Sequence, residues 1–299
     1  SNRSHSRSNG HDLNVEVNYS DNTWMFNASL GVTPQSRTID RKVGKLYADT
    51  AMNMIDFQPM IWMSWRKKEM RVSLNYNGNT RQPSLSDLMP LTDNSNPLYI
   101  TRGNPDLKQM FSHNIRLNFQ NSPKGISANL GGQVEQNSVT QVMIYDVQTG
   151  GRETYPVNIN GNWNLFGGAS WWKRFGHFSL RLDMSGNHSN RVGMINEDKS
   201  LQPEKSTTRD TGLNCEAQAS YQPSWGGIDL STSWNYQYSL NSLNDNDTYT
   251  RYYNFGLNGY VDFPFGLQLR TDATYNLRSG TNIQKGEDDE ILWNAGATW

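Results

Sequence analysis

The residues able to do chemistry in this chain are few and widely scattered. Its five histidines are His5, His11, His113, His177 and His188. No two have the close spacing of a helical zinc site, and the one cysteine, Cys215, stands apart from them. Cys215 falls in an apolar register, as a small hydrophobe would. His113 and His188 fall in strand-like stretches and are expected as girdle or lumen residues. Two acidic loops offer oxygen ligands: Asp245 with Asp247, and Glu287 through Glu290. The first lacks the glycine and terminal glutamate of a calcium-binding loop, so solvated loops are the simpler expectation for both. No phosphate-cradling, dinucleotide-binding or nucleophile-elbow motif occurs. No Ser/His/Asp or Asp/His grouping is assembled by spacing. The sequence therefore predicts no enzyme, no cofactor and no metal centre. Charges at alternate strand positions remain: Arg116, Glu135, Arg181, Asp183, Arg270 and Asp272. They could line a pore as a charge ladder, or pair across strands for stability.

The elements that must carry these residues are strands. About a dozen stretches alternate between apolar and polar residues, the pattern of a sheet with one greasy and one wet face. The clearest places Ile228, Leu230, Thr232, Trp234, Tyr236, Tyr238 and Leu240 between Asp229, Ser231, Ser233, Asn235, Gln237 and Ser239. Tight turns alternate with long polar loops. Residues 1–10 are expected as a polar tail or loop remnant, and 11–299 as the strand domain. Long loops are expected at about 33–52, 77–110, 189–207 and 241–250. A third strand near 53–65 has a poor register and contains Pro59. The count comes to about thirteen strands, many of the length needed to cross a bilayer at a tilt.

Composition agrees with a membrane barrel. The formal net charge is −1, which gives no global attraction to nucleic acid. Charged residues are 18% and hydrophobic residues 35%, with Asn, Ser, Gln, Thr and Gly filling the gap. Mean hydropathy is −0.77, which would suit a disordered chain. Yet there are 10 Trp, 14 Tyr and 10 Phe, and disordered segments are poor in aromatics. In a membrane barrel only every second strand residue must be apolar. No run approaches the length of a transmembrane helix. A single cysteine excludes an intrachain disulfide. No signal peptide opens the chain, so an exported protein is expected to begin upstream.

Aromatics gather near strand ends. Tyr19, Trp24, Trp62, Trp65, Trp171, Trp172, Trp234 and Trp293 are expected at the membrane interface. This favours an antiparallel up-and-down transmembrane barrel with short periplasmic turns and long extracellular loops. A soluble sandwich with an inward apolar face is the alternative.

The stretch RQPSLSDLMPLTDNSNPLYITRGNPDLK, residues 81–108, resembles a signature of TonB-dependent-receptor-like outer-membrane barrels of Bacteroidetes. Arg81 with Pro83 and Ser84, Asp93 with Ser95, Pro97 and Leu98, and Gly103 through Lys108 carry the likeness. PVNINGNWN at 156–164 and ILWNA at 291–295 are similar to that family as well. The resemblance implies a barrel of roughly 22 strands. This chain would then be an excerpt lacking the plug, the TonB box and the final strands. It implies uptake of a bulky nutrient such as a glycan, peptide or metal chelate. The implied partners are outer-membrane lipid, a TonB complex reached through regions outside this chain, and a surface lipoprotein. A non-transporting barrel with adhesive or structural loops is the other functional expectation. Four prolines and Gly103 forbid a regular strand in 81–108. That segment is either an ordered loop without a ligand or a loop over the barrel mouth. In the second case Arg81, Asp93, Asn94, Tyr99, Arg102 and Asn104 are the candidate cargo contacts.

Overall fold

The computed structural model describes residues 3–43, 46–146, 148–196, 203–281, 283 and 288–299. It is all-β apart from one short helix. The chain opens with β1 (Arg3–Gly10), β2 (Leu13–Ser20), β3 (Trp24–Val43), β4 (Leu46–Lys67) and β5 (Met70–Arg81). Helix α1 (Leu85–Leu88) and the short strands β6 (Thr92–Asn96) and β7 (Tyr99–Arg102) follow. Next come β8 (Met110–Asn121), β9 (Ile126–Gln136), β10 (Ser138–Asp146) and β11 (Gly151–Ile159). The remainder is β12 (Trp163–Phe175), β13 (Phe178–Asn196), β14 (Glu204–Tyr221), β15 (Gly226–Asn241), β16 (Asn244–Asp262), β17 (Gln268–Gly280) and β18 (Asp289–Thr298). All lie in one sheet of eighteen strands among the described residues.

The main ladder is antiparallel throughout. It runs β2–β3–β4–β5–β8–β9–β12–β13–β14–β15–β16–β17–β18. Strand β1 continues the line of β2 along the upper half of β3. Both β2 and β18 are exposed along their whole length.

The count of eighteen exceeds the expected thirteen because β1, β6, β7 and β10 form in segments read as tail or loop, β6 and β7 within 81–108 between its prolines, and the expected seventh strand is two. Residues 3–10 form β1, not a frayed end. The expected loop at 33–52 is the far half of a long hairpin, with Thr33 opposite Asp56 and Val43 opposite Leu46. The expected loop at 189–207 includes the end of β13 and the start of β14. Alternation is weak there, and backbone pairing carries both hairpins past the apolar band. The stretch from Val157 to Trp171 is two strands, broken at 160–162 where Gly161 takes φ 119°.

The two faces of the ladder differ as the alternation predicts. On one face lie Leu13 (62% exposed), Leu130 (61%), Met184 (62%) and Ile291 (71%). The other face carries Asn, Gln, Ser and Thr. A soluble sandwich would bury the first face. Here the buried apolar residues are Leu88, Met89, Leu107, Val142, Ile159 and Val192 among the described residues. All lie in, or against, the segments around β6, β7, β10 and β11. The sheet itself hides almost no apolar side chain, so its greasy face requires an apolar surrounding.

The ladder is also staggered. One hydrogen-bonded row joins Trp24, Trp65, Val72 and Phe119 close to the short turns. Continued through Ala128, Ala169, Met184 and Cys215, the same row reaches Trp234, in the middle of β15. Such a climb is what inclined strands produce, and inclination is required of sheets that curl into barrels.

Candidate functional site

At the short-turn end, aromatic rings line the greasy face. Trp24 and Trp65 stand 6.4 Å apart, Phe178 and Tyr221 4.4 Å, and Phe265 and Trp299 5.8 Å between ring centres. A second belt lies toward the long loops. Tyr76 hydrogen-bonds His113 Nδ1 at 3.0 Å, and His188 lies 5.2 Å from Trp163. Tyr238 faces Tyr249 across β15 and β16. From Ile228 to Tyr238 is a rise of about 25 Å for a strand inclined near 40°. This matches the apolar band of an outer-membrane barrel.

Of the eight aromatics expected at the interface, Tyr19, Trp24, Trp65, Trp171, Trp234 and Trp293 stand on the greasy face. Trp234 stacks on Tyr236 at 6.1 Å in the middle of β15, short of the loop-side belt. Trp293 donates from its indole to Thr271 Oγ1 at 2.9 Å. Trp62 and Trp172 do not belong with them. Trp62 shares a row with Asn27 and Asn75, and Trp172 with Arg181. Both are on the polar face, because neighbours in an extended strand point to opposite sides.

The long-loop end carries a folded rim. Strand β10 leaves β9 at Asn137 (φ 54°) and runs parallel to the end of β13. It pairs with β11, which takes β7 as its other neighbour, and β7 pairs with β6. The signature residues of 81–108 hold this rim together. A Cβ on Gly103 would sit 1.9 Å from the Met89 carbonyl oxygen, so only glycine allows the two backbones to cross. Asn104 donates to the Pro156 carbonyl at 3.0 Å and accepts from the Asp106 N–H. Leu107 is buried beside them. Asn158 accepts from the Lys108 N–H at 2.7 Å and donates to the Lys108 and Asn137 carbonyls at 3.0 and 2.8 Å. Asn162 accepts from the Val192 N–H at 2.8 Å. The PVNINGNWN stretch thus serves as the fixing partner of the first signature.

The candidate cargo contacts divide accordingly. Arg102 pairs with Glu153 at 2.8 Å and covers the Tyr155 ring. Tyr99 lies under Arg152, and Asp93 accepts from the Ser95 N–H and hydroxyl. These residues and Asn104 build the rim. Asn94 is exposed on β6, and Arg81 lines the cleft below.

Asp56, which sequence reasoning passed over, anchors both feet of the rim. It lies on the polar face beyond the loop-side belt. Its carboxylate accepts from the side-chain amides of Gln35, Gln82 and Gln109. Partial burial raises its pKa above the usual carboxylate value, against the opposing pull of the Gln82 and Gln35 donors. The signal available in the sequence was a glutamine at each end of the signature, Gln82 just inside it and Gln109 just after it.

Beneath the rim is a cleft of about 800 Å³ on the polar face. Asn14, Ser29, Gln58, Asn77, Asn79 and Gln133 line it, with Asp12, Arg81 and Glu135. Glu135 accepts from Gln133 at 3.0 Å and from Ser138 at 2.9 Å. The other expected lumen charges lie on the same face. Arg181 pairs with Asp183 at 2.6 Å along its own strand. Arg116 stands over the Phe166 ring, and Arg270 donates to Gln268. Asp272 accepts from Asn294 at 2.8 Å. They form local pairs and not one continuous ladder. Of the acidic loops, the Asp245 side chain and Glu287 lie outside the described residues. Asp247 accepts from Tyr238, and Glu290 from Asn276 at 3.3 Å.

Inclined antiparallel strands, an exposed greasy face belted by aromatics and a wet opposite face define an outer-membrane β-barrel protein. The sequence model of the outer membrane protein beta-barrel family matches residues 17–205, and the chain belongs to that family. It resides in the outer membrane. No curated protein matches the chain. Among solved structures it is similar to in-vitro folded OmpT, an outer membrane protein of Vibrio cholerae, in its trimer form. The identity is 7% and the TM-score 0.34, over 99% of this chain and 96% of that one, a likeness that carries no argument.

Proposed function

We propose that this chain is barrel wall from a receptor that takes up a bulky solute across the outer membrane. The observation that carries the reading is the cleft beneath the folded rim. Asn14, Gln58, Asn77 and Asn79 make no side-chain hydrogen bond to another described residue, which leaves their amides for water or solute. A volume of about 800 Å³ is within the range of small-molecule sites. The role is passage without chemistry. Coupling to a TonB complex, and a surface lipoprotein that hands over cargo, complete the reading by analogy with the receptors the signature resembles.

The test is reconstitution of the full chain into liposomes loaded with oligosaccharides of graded size. Efflux with a defined size limit supports the receptor reading. A tight vesicle overturns it and favours the second reading, a surface-binding barrel. The ordered rim favours that second role, because adhesive loops need a fixed shape.

A further inference from the structure

We infer that the short-turn end carries a docking strip for anionic phospholipid headgroups, confined to one sector of the rim. Three hairpins adjacent in the ladder contribute to it: β4–β5, β8–β9 and β12–β13. Their ends present Arg66, Lys67, Lys68, Lys124, Lys173 and Arg174, all exposed, against the single acid Glu69; Arg66 and Arg174 fall on the polar face by alternation, and Lys67 and Lys173 on the greasy one. The hairpins outside this sector are of opposite or no charge at their turns. The β2–β3 turn holds Asp21, β16 ends in Asp262, and the β14–β15 turn, residues 222–225, has no charged residue. None of the six cations forms an ion pair among the described residues.

Depth and direction select lipid as the occupant. Lys67 follows Trp65 on the greasy face by the two-residue period, and Lys173 follows Trp171 in the same way. Lys173 Nζ lies 5.3 Å from the Phe175 ring centre. The ammonium groups therefore sit just beyond an aromatic belt, where long cationic side chains reach the phosphate layer. Five strand spacings separate β4 from β13, giving a strip about 24 Å long. That is room for several headgroups. A charge strip turned away from lipid would instead fit an acidic periplasmic protein.

The measurement uses the full chain in detergent micelles containing equal amounts of phosphatidylglycerol and phosphatidylcholine. Lipid retained after purification is quantified by mass spectrometry. We expect phosphatidylglycerol to be enriched about threefold, falling toward parity in about 0.5 M salt. Combining Lys67→Gln, Lys124→Gln and Lys173→Gln abolishes the enrichment. The same loss of charge through Lys108→Gln, Lys205→Gln and Arg209→Gln at the far end leaves it intact. Heat-modifiable gel mobility confirms folding of each variant. Parity in the wild type overturns the proposal and points to an acidic protein partner. Equal loss in both triple variants overturns the sector assignment. Preferential retention of added lipid A overturns the choice of phospholipid.

Discussion

Gly103 and Asp56 govern the rim through opposite physical effects, close packing and charge. At Gly103 the Met89 carbonyl occupies the space a methyl group would need. Gly103→Ala is expected to cost about 1–3 kcal/mol, as overpacking does. Limited proteolysis between residues 82 and 109 should accelerate while heat-modifiable mobility stays unchanged. Asp56 predicts a pH dependence. Its pKa is raised in the folded rim, chiefly by burial, so the folded state binds the proton more tightly. Its contribution to rim stability is fullest in the protonated state and is lost as pH rises through the raised pKa. Proteolytic protection of the rim should therefore strengthen on acidification from neutral pH. Asp56→Asn should remove that slope. An unchanged slope in the variant would assign the effect to another group.

Among the elements, β10 and β11 depend on side-chain ties that sequence alternation does not reveal. Asn158→Ala removes three hydrogen bonds and leaves the Lys108 N–H and the Asn137 carbonyl seeking partners. The Lys108 groups can turn to water and the Asn137 carbonyl is part-buried, so the expected cost is about 1–2 kcal/mol in all. Amide exchange should rise at Lys108 and along β10 and β11, with β14–β17 unaffected. The strands of the main ladder were legible because one face meets lipid and writes its period into the chain. The far halves of β3, β4 and β13 were not, since they run past the apolar band, where lipid imposes no two-residue period. Trp171 and Trp172 show a different failure. Composition suggested two interfacial tryptophans, yet adjacent residues cannot share a face, and that constraint was already readable. The signature 81–108 was visible as a motif, but its partner Asn158 lies across long-range contacts. Its structural role could not be separated from cargo binding by spacing.

The whole molecule is defined by which side of its sheet tolerates charge. Leu230 is half exposed on the greasy face, and Ser233 lies on the polar face opposite Glu216. Leu230→Arg, two residues inside the short-turn edge of the apolar band, is expected to destabilise the bilayer-folded chain by about 1–2 kcal/mol, between the interface and midplane costs of a lipid-facing arginine. Ser233→Arg should be nearly neutral. Folding midpoints in urea with lipid vesicles measure both. Equal effects would remove the lipid-facing assignment and return the soluble sandwich as a description. Partition of a charged residue is thus the most direct probe of the architecture. It does not depend on how many strands close the wall.

The order of strands in the ladder also bears on how the wall is built. Nearly every strand pairs with its neighbour in sequence, so most contacts are local and can form hairpin by hairpin, which favours rapid folding. Within the main ladder two seams break this rule: β5 must find β8, and β9 must find β12. The residues skipped at each seam are those that fold onto each other as the rim. Each excursion thus shortens the loop that the other seam must close, and loop closure is the entropic obstacle to non-local pairing. The rim then serves as a stitch during insertion. Weakening it should slow the joining of the β2–β5 and β12–β18 blocks to β8–β9 more than it lowers the stability of the finished sheet.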